Sequence, residues 1–467
     1  MEDGQERDDG LGLSGPVATA KLLHQVAARS AKYLTELDER PVAPTPAALA
    51  ALATFDESMP EQGTEAAEVV RLLDEVGGPA TMASAGGRYF GFVTGGALPA
   101  ALAANWLAGG WDQNGFSRVS SPLAAALEGR AIAWLLELFG LPASGGGALV
   151  TGATMANFTA LAAARHRVLE GAGWDVESRG LIGAPPIAVI VGEEAHATLF
   201  KALGLLGLGR DNVIRVPVDD QGRMRADALP AIPATAIVCL QAGNVNSGAF
   251  DPAAGIVGPA HAAGAWVHVD GAFGLWAAAA PERAELLTGF AEADSWAADA
   301  HKWLNVPYDC GIALVRQPRD LSAAMAMDAA YLLNERHGEP IDFSPESSRR
   351  MRGAEVWAAL KCLGRDGLAE LVERNCRHAA RFAEGLRAAG HEVLNEVVLN
   401  QVLVSFGDDE TTRRVIAAVQ ADGTCWCGGT VWRGRAAMRI SVSSWATADE
   451  DVEKSLAAIC RLAADIR

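Results

Sequence analysis

Short apolar runs alternate with helical patterns through the middle of the chain. Seven runs have the length and composition of buried strands, at residues 148–150, 187–191, 213–216, 236–240, 266–269, 295–298 and 312–315. Strands that alternate with helices favour a mostly parallel sheet with helices on both faces. We therefore predict an α/β fold in which a seven-stranded, mostly parallel sheet is sandwiched by helices.

The regions on either side of this alternation have a helical periodicity. Before it, the apolar spacing predicts helices over residues 17–39, 61–76 and 122–139. After residue 345, the pattern predicts helices over 352–363, 367–389, 411–421 and 448–464, with strands near 402–406 and 439–442. We predict three units: an N-terminal helical segment (1–115), a large domain (116–345) and a smaller C-terminal α+β domain (346–467).

Composition narrows the function classes. The 467 residues are 50% hydrophobic and 21% charged, which is ample for a packed core and excludes disorder over most of the chain. A net charge of −18 disfavours binding to nucleic-acid phosphates and to anionic membrane surfaces. The most apolar stretch, residues 97–111, is interrupted by Pro99 and Asn105 and is too broken for a membrane span. We expect neither nucleic acid nor a membrane as a partner.

The cysteine pattern and the N-terminal residues indicate in which cellular compartment the protein is found. Seven cysteines are scattered along the chain without a disulfide framework or a paired zinc motif, which predicts reduced thiols and no metal site. Residues 1–9 lack the basic start and the apolar run of a signal peptide. These features predict a cytoplasmic protein.

Open α/β sheets bind ligands beyond the carboxyl ends of their strands, so the residues that follow each run are the candidates for chemistry. Gly152, Ala153 and Thr154 open a helix after the first run, where free N–H groups could hold a phosphate, although such turns are common. His196 follows the second run and could equally be a helix cap. The glycine-rich loop around Asn246 is either a binding loop or a turn.

Asp270 and Lys302 are stronger candidates. Asp270 ends a hydrophobic strand, where an ionised carboxylate needs a cationic or protonated partner. Lys302 follows a neighbouring strand in apolar surroundings that favour a nucleophilic amine. Asp270 could instead cap the next helix, and Lys302 could form an inert ion pair with Asp270 or Asp299. Together, the lysine, the carboxylate, the imidazole and the helix start indicate pyridoxal phosphate as the cofactor.

Two motifs resemble those of a known enzyme family. His268-Val-Asp270-Gly-Ala272 precedes His301-Lys302-Trp303, and Lys302 stands 32 positions after Asp270. This pattern is similar to that of the pyridoxal-phosphate-dependent group II decarboxylases, which act on glutamate, tyrosine and aromatic L-amino acids. The likeness covers residues 88–366 and extends more loosely to the end.

The resemblance implies the aspartate-aminotransferase-like fold of type I pyridoxal-phosphate enzymes, and a homodimer with shared active sites. It also implies decarboxylation of an L-amino acid to the amine through a Schiff base and a quinonoid, with aromatic substrates among the candidates. In this resemblance, Lys302 bears the cofactor, Asp270 partners the pyridine nitrogen and His196 stacks on the ring. The other residues implied to contact the cofactor are Gly152, Ala153, Thr154, Asn246, Ala272, Asp299 and His301.

On the substrate side, the resemblance implies roles for Thr94, Asn114, Phe116 and Arg349. Phe116 is expected to come from the other subunit, and Arg349 to lie near the substrate carboxylate or the catalytic loop. Asn114 stands where members with aromatic substrates carry an apolar side chain. An exposed arginine at a helix start is the alternative interpretation of Arg349.

Two departures from the family pattern leave the outcome of the reaction open. Asp299 replaces the usual asparagine before His-Lys, so its role is uncertain. Between Tyr331 and Arg349 there is no further tyrosine to protonate the product; Phe343 cannot do so, whereas His337 could. An aldehyde synthase, an aminotransferase or a carbon–carbon lyase of the same fold is therefore an alternative. A binding protein that kept the fold without the chemistry is a second alternative, in which Lys302 would be dispensable.

Overall fold

The computed structural model describes residues 15–327 and 338–466. Its main sheet has seven strands: β1 (Gly146–Val150), β2 (Ala188–Gly192), β3 (Val213–Val216), β4 (Ala236–Gln241), β5 (Trp266–Asp270), β6 (Ser295–Asp299) and β7 (Gly311–Val315). The strand order is β1-β7-β6-β5-β4-β2-β3, and β7 is antiparallel to both of its neighbours while the other pairs are parallel. The predicted α/β class and the mostly parallel sheet are confirmed.

Thirteen α-helices lie in the described residues. They are α1 (Pro16–Thr35), α2 (Pro46–Ala51), α3 (Ala66–Leu72), α4 (Pro99–Trp111), α5 (Pro122–Leu138), α6 (Ala153–Gly171), α7 (Val176–Arg179), α8 (Ala197–Leu205), α9 (Ala253–Ala262), α10 (Pro318–Met325), α11 (Arg352–Ala388), α12 (Asp409–Asp422) and α13 (Asp449–Ile466). The apolar stretch that is too broken for a membrane span forms α4. Among the described helices, none combines the length and the apolar character that a bilayer crossing needs.

Strands in the centre of the sheet are buried on both faces. In β2 and β4, Ile190 and Val238 belong to one core cluster, whereas Val189, Val191 and Ile237 belong to a cluster on the opposite face. Side chains alternate between the two faces of a strand, so both faces must be apolar when helices cover both. This double burial is the physical reason for the continuous apolar runs in the sequence.

The C-terminal part forms a second sheet. It contains β8 (Glu392–Val393), β9 (Gln401–Ser405), β10 (Gly428–Trp432) and β11 (Arg435–Ser441), all antiparallel, in the order β10-β11-β9-β8. Gly364 interrupts α11 with a φ of +62°, which explains why the sequence predicts two helical segments there. The predicted α+β character of this region is confirmed.

Packing crosses both of the predicted domain limits. The Phe90 N–H donates to Trp426 O and the Phe90 carbonyl accepts from Ser441 N–H, so a strand-like N-terminal segment joins the small sheet. The first half of α11 packs against α4 of the N-terminal segment and against α5 of the large domain. The limits at residues 115 and 345 therefore stay predictions.

Candidate active site

A cavity of about 300 Å³ lies beyond the carboxyl ends of β1, β4, β5 and β6. Parallel strands place their carboxyl ends at one edge of a sheet, which brings residues far apart in sequence to one site. Every predicted cofactor residue except Asn246 lines this cavity: Gly152, Ala153, Thr154, His196, Asp270, Ala272, Asp299, His301 and Lys302.

Lys302 lies beside a buried carboxylate. Its Nζ is 3.2 Å from Oδ2 of Asp299, a residue that is only 3% exposed. The other carboxylate oxygen, Oδ1, has no hydrogen-bond partner in the described residues and faces Gly152 across the cavity wall. An ion pair between Lys302 and Asp299 was one of the alternatives that the sequence left open, and this pair is present in the single chain.

Asp270 is buried without a cation. Its Oδ1 accepts a hydrogen bond from the Ala272 N–H at 3.3 Å, and its Oδ2 accepts one from Asn157 Nδ2 at 3.2 Å. No lysine, arginine or histidine nitrogen of the described residues lies within 4.0 Å of this carboxylate, which is 5% exposed. A buried carboxylate needs a protonated partner, and a protonated ring nitrogen in the cavity would supply one.

His196 caps a helix and faces the cavity at the same time. Its Nδ1 accepts hydrogen bonds from the Thr198 hydroxyl at 2.7 Å and from the Thr198 N–H at 3.3 Å, so the proton of the neutral ring is on Nε2. Burial lowers the pKa of His196, and the charges of Lys302 and Arg439 lower it further. A neutral imidazole can stack flat on an aromatic ring without bringing a second cation into the site.

The start of α6 lines the cavity and has the features of an anion-binding site. The first N–H groups of a helix lack partners within the helix, and the helix dipole favours negative charge there. His301 lies opposite this turn, with its Nδ1 accepting from the Cys310 N–H at 3.3 Å and its Nε2 3.6 Å from Asp299 Oδ2. Burial lowers the pKa of His301, and the opposing charge of Asp299 does not outweigh this effect, so the ring is neutral at pH 7.

Comparison with known proteins identifies the family. Residues 51–407 match the model of the pyridoxal-dependent decarboxylase conserved domain. This chain belongs to the pyridoxal-dependent decarboxylases. The predicted family, cofactor and enzyme class are thereby confirmed, and the alternative of a binding protein without chemistry is set aside.

Two relatives and one solved structure illustrate the likeness of this decarboxylase to others. An L-2,4-diaminobutyrate decarboxylase of Rhizobium meliloti is 31% identical over 79% of this chain and 76% of its own length. An aromatic-L-amino-acid decarboxylase of Drosophila lebanonensis is 30% identical over 78% of this chain and 95% of its own length. The structure of Oryza sativa TDC with PLP and tryptamine has the same fold, with a TM-score of 0.89 at 24% identity over 97% of this chain and 98% of that one.

The cavity of the decarboxylase fits pyridoxal phosphate. Lys302 offers an amine, Asp270 an unpaired buried carboxylate, and the start of α6 a set of N–H donors for a phosphate. The unpartnered Oδ1 of Asp299 is a further acceptor for a proton or an N–H group brought in by the cofactor or the substrate. The donor set therefore matches the amine-reactive, ring-nitrogen and phosphate parts of the cofactor.

Arg349 lies outside the cavity of the single chain, and its predicted substrate role stays a prediction. Its side chain is 1% exposed, and its guanidinium pairs with Glu128 Oε2 at 2.6 Å and donates to the carbonyls of Leu149 and Gly115. The arginine does not line the cavity, and it is not an exposed helix-start residue either. Glu128 neutralises its charge in a buried ion pair. The contacts of Arg349 with Glu128 and Leu149 connect the segment before α11 to α5 and β1.

The other substrate-side predictions lie outside the cavity of the single chain. Thr94 Oγ1 is 3.4 Å from the hydroxyl of Tyr308, and Asn114 Oδ1 accepts from the Arg349 N–H. Phe116 contributes its carbonyl to Ile341 N–H. Asn246, which is predicted to contact the cofactor, also lies outside the cavity: its side-chain Oδ1 accepts from the Thr430 hydroxyl at 2.9 Å, which joins its loop to β10. The roles of these four residues stay predictions.

The loop predictions can be placed in part. Tyr331 and His337 lie outside the described residues. Phe343 packs with Met155 against the apolar cluster at the start of α6.

Sequence reasoning missed two polar residues near the cavity. Asn157 lies one turn into α6 and is fully buried, and its amide contacts Asp270. Arg439, on β11, donates to the carbonyl of Val245, a residue that lines the cavity. The signal for Asn157 was present, since a buried amide in an alanine-rich helix must have polar partners. Nothing local in the sequence indicates which face of β11 meets the large domain.

Proposed function

We propose that this decarboxylase removes the α-carboxylate of an L-amino acid, with Lys302, Asp270 and His196 as its catalytic residues. The observation that carries the proposal is the meeting of an amine, an unpaired buried carboxylate and a helix N-terminus in one cavity. When bound, pyridoxal phosphate supplies an aldehyde that bonds to amines and a ring that accepts the electrons released as carbon dioxide leaves.

Each side chain has a separate task in this proposal. Asp270 holds a proton on the ring nitrogen, which makes the ring a better electron acceptor. Lys302 anchors the cofactor, and Asp299, 3.2 Å away, exchanges a proton with the lysine amine when substrate displaces it. His196 covers one face of the ring as a neutral imidazole and leaves its Nε2–H free for the substrate carboxylate.

Besides Arg349, we propose Arg439 as a candidate for binding a substrate carboxylate. It is half-buried, and no carboxylate of the described residues lies within 4.0 Å of its guanidinium. Burial lowers its pKa without any acidic neighbour to oppose the effect. Its guanidinium donates to the carbonyl of Val245, which lines the cavity together with His196. A planar fork with free donors suits a carboxylate.

Replacing Arg439 with Gln is expected to raise the KM for the carboxylate-bearing substrate by about tenfold or more, because a charged hydrogen bond contributes about 1.5–3 kcal/mol. Steady-state kinetics with acidic and with neutral L-amino acids gives the measurement. A rise for every substrate assigns Arg439 to the α-carboxylate, and a rise for acidic substrates alone assigns it to the side chain. Arg435→Gln, at an exposed ion pair on the same strand, is the matched control. An unchanged KM for all substrates would remove Arg439 from the site.

Product analysis tests the proposed reaction against its alternatives. The purified protein, supplied with pyridoxal phosphate, is incubated with acidic, basic and aromatic L-amino acids. Decarboxylation gives one carbon dioxide and one amine per turnover. An aldehyde synthase, which the absence of a further tyrosine between Tyr331 and Arg349 favours as the second candidate, consumes one dioxygen and one water and gives carbon dioxide, aldehyde, ammonia and peroxide. A keto acid, or an aldehyde without carbon dioxide, would refute both.

We also propose that the active unit is a homodimer in the cytoplasm. Helices α1, α2 and α3 contain no buried residue, and Trp106, Leu107 and Trp111 on α4 are 44–54% exposed. A second copy of the chain would cover these apolar side chains and could bring Phe116 to the cavity. The cytoplasmic location is supported by the seven free cysteines, which suit a reducing compartment.

Analytical ultracentrifugation is expected to give the mass of two chains. Leu107→Glu should shift the equilibrium toward the single chain and lower activity in parallel, because a buried charge is costly at an apolar interface. Ile182→Glu, at an exposed site after α7 and outside helices α1 to α4, is the control. A single-chain species with full activity would contradict the proposal.

A further inference from the structure

A continuous chain of hydrogen bonds lies behind Asp270. The indole N–H of Trp266 is 2.9 Å from Ser295 Oγ, which is 2.9 Å from His268 Nδ1. His268 Nε2 is 2.8 Å from Asn157 Oδ1, and Asn157 Nδ2 is 3.2 Å from Asp270 Oδ2. Asn157, His268 and Ser295 are completely buried, so water does not compete for these contacts.

Three elements contribute to this chain. His268 and Asp270 are two residues apart on β5 and therefore point to the same face of the sheet. Asn157 comes from the first turns of α6, whose start forms the anion site of the cavity. The buried amide of Asn157 thus links α6, whose start is the candidate phosphate site, to Asp270, the candidate partner of the ring nitrogen.

The direction of each hydrogen bond is fixed by the chemistry of the groups. An ionised Asp270 can only accept, so Asn157 must turn its NH₂ group toward Asp270 and its oxygen toward His268. That oxygen can only accept, so His268 carries a proton on Nε2. Burial lowers the pKa of His268 to about 4, so at pH 7 the ring is neutral and Nδ1 accepts from the Ser295 hydroxyl. Ser295 in turn accepts from Trp266.

We propose that Asn157, with His268 and Ser295 behind it, is a positioning unit that holds the Asp270 carboxylate ionised and aimed at the ring nitrogen of the cofactor. The inference rests on the proposed function, because it assigns these residues a task toward the same cofactor. A donated hydrogen bond stabilises the charged form of a carboxylate. Hydrogen bonds that run in one direction polarise one another. If the Asn157 amide were reversed, its oxygen would face Oδ2 of Asp270, and the hydrogen bonds of the whole chain would be weakened.

The neutrality of His268 is part of the proposal. A cationic imidazole behind Asn157 would compete with the ring nitrogen for the negative charge of Asp270. The neutral His268 ring presents only a dipole to Asn157, so the proton stays on the ring nitrogen of the cofactor. The groups that face this chain from the packed elements are Asp270 and Cys239, and burial raises the pKa of the Cys239 thiol, which keeps it uncharged.

The first experiment needs no cofactor. In cofactor-free protein labelled with ¹⁵N-histidine, the ring signals of His268 are assigned by their absence in His268→Gln. We expect a neutral ring protonated at Nε2 throughout pH 6–8. An Nδ1–H tautomer or a cationic ring at pH 7 would overturn the inference, whether or not the protein proves to bind pyridoxal phosphate.

The second experiment measures binding by titrating the cofactor-free protein with pyridoxal phosphate and with its 1-deaza analogue, in which carbon replaces the ring nitrogen. Asn157→Leu is expected to weaken pyridoxal phosphate binding about tenfold or more and to leave the analogue unaffected, because only the ring nitrogen senses Asp270. Thr159→Val is the control: this hydroxyl lies on the same helix, is buried and has no hydrogen-bond partner among the described residues, so the change should alter neither affinity.

Equal weakening for both compounds would mean that Asn157 serves packing alone, and an unchanged affinity for pyridoxal phosphate would mean that it serves neither purpose. Either result overturns the inference. A wild-type protein that binds neither compound would instead refute the proposed function, while the tautomer of His268 would still be measured separately.

Discussion

Lys302→Ala is expected to lower the rate of carbon dioxide release by roughly 10⁴-fold or more, because covalent catalysis by a lysine amine cannot be replaced by a methyl group. Of the six lysines in the chain, Lys302 alone lines the described cavity. The second readout is structural: borohydride reduction of the loaded wild type should attach the cofactor to the peptide that contains residue 302. The variant should give no such adduct.

Lys201→Ala is the matched control, since Lys201 is exposed on α8 close to His196 and does not line the cavity. It should retain wild-type activity and the wild-type adduct. A cofactor adduct in Lys302→Ala, or activity within tenfold of wild type, would contradict the assignment of the lysine and with it the catalytic use of this cavity.

Asp270→Asn is expected to lower kcat by about 10³-fold with a smaller effect on KM. A neutral amide cannot hold a proton on the ring nitrogen, so the electrons released with carbon dioxide find a weaker acceptor. The new amide also faces the NH₂ group of Asn157, which loses its carboxylate partner. The measurement is a steady-state determination of kcat and KM separately, on variants whose folding is checked by circular dichroism.

The 1-deaza analogue supplies the control for Asp270. Because the analogue has no ring nitrogen, wild type and Asp270→Asn should have the same low rate when loaded with it. A difference that persists with the analogue would show that Asp270 acts through the shape of the site. An unchanged kcat with pyridoxal phosphate would remove Asp270 from catalysis.

The sequence alone determined the class of fold and the core of the site. Strands β1–β7 were predictable because a sheet covered on both faces needs continuous apolar runs, and such runs are visible locally. Asp270, Lys302 and His196 were predictable because each lies at or a few residues beyond the carboxyl end of a strand, and parallel strands bring these ends to one edge. The motif spacing then indicated the cofactor, which the family match confirmed.

Tertiary structure decided the partners of the charged and polar side chains. Arg349 and Glu128 are 221 residues apart, and Arg439 and Val245 are 194 residues apart, so no local pattern could assign one arginine to a buried ion pair and the other to the cavity edge. The same holds for Asn157 and Asp270, which lie on different elements. An apolar side chain needs only a buried position, which periodicity predicts; a polar side chain needs a particular partner in a particular direction, which only the folded chain supplies.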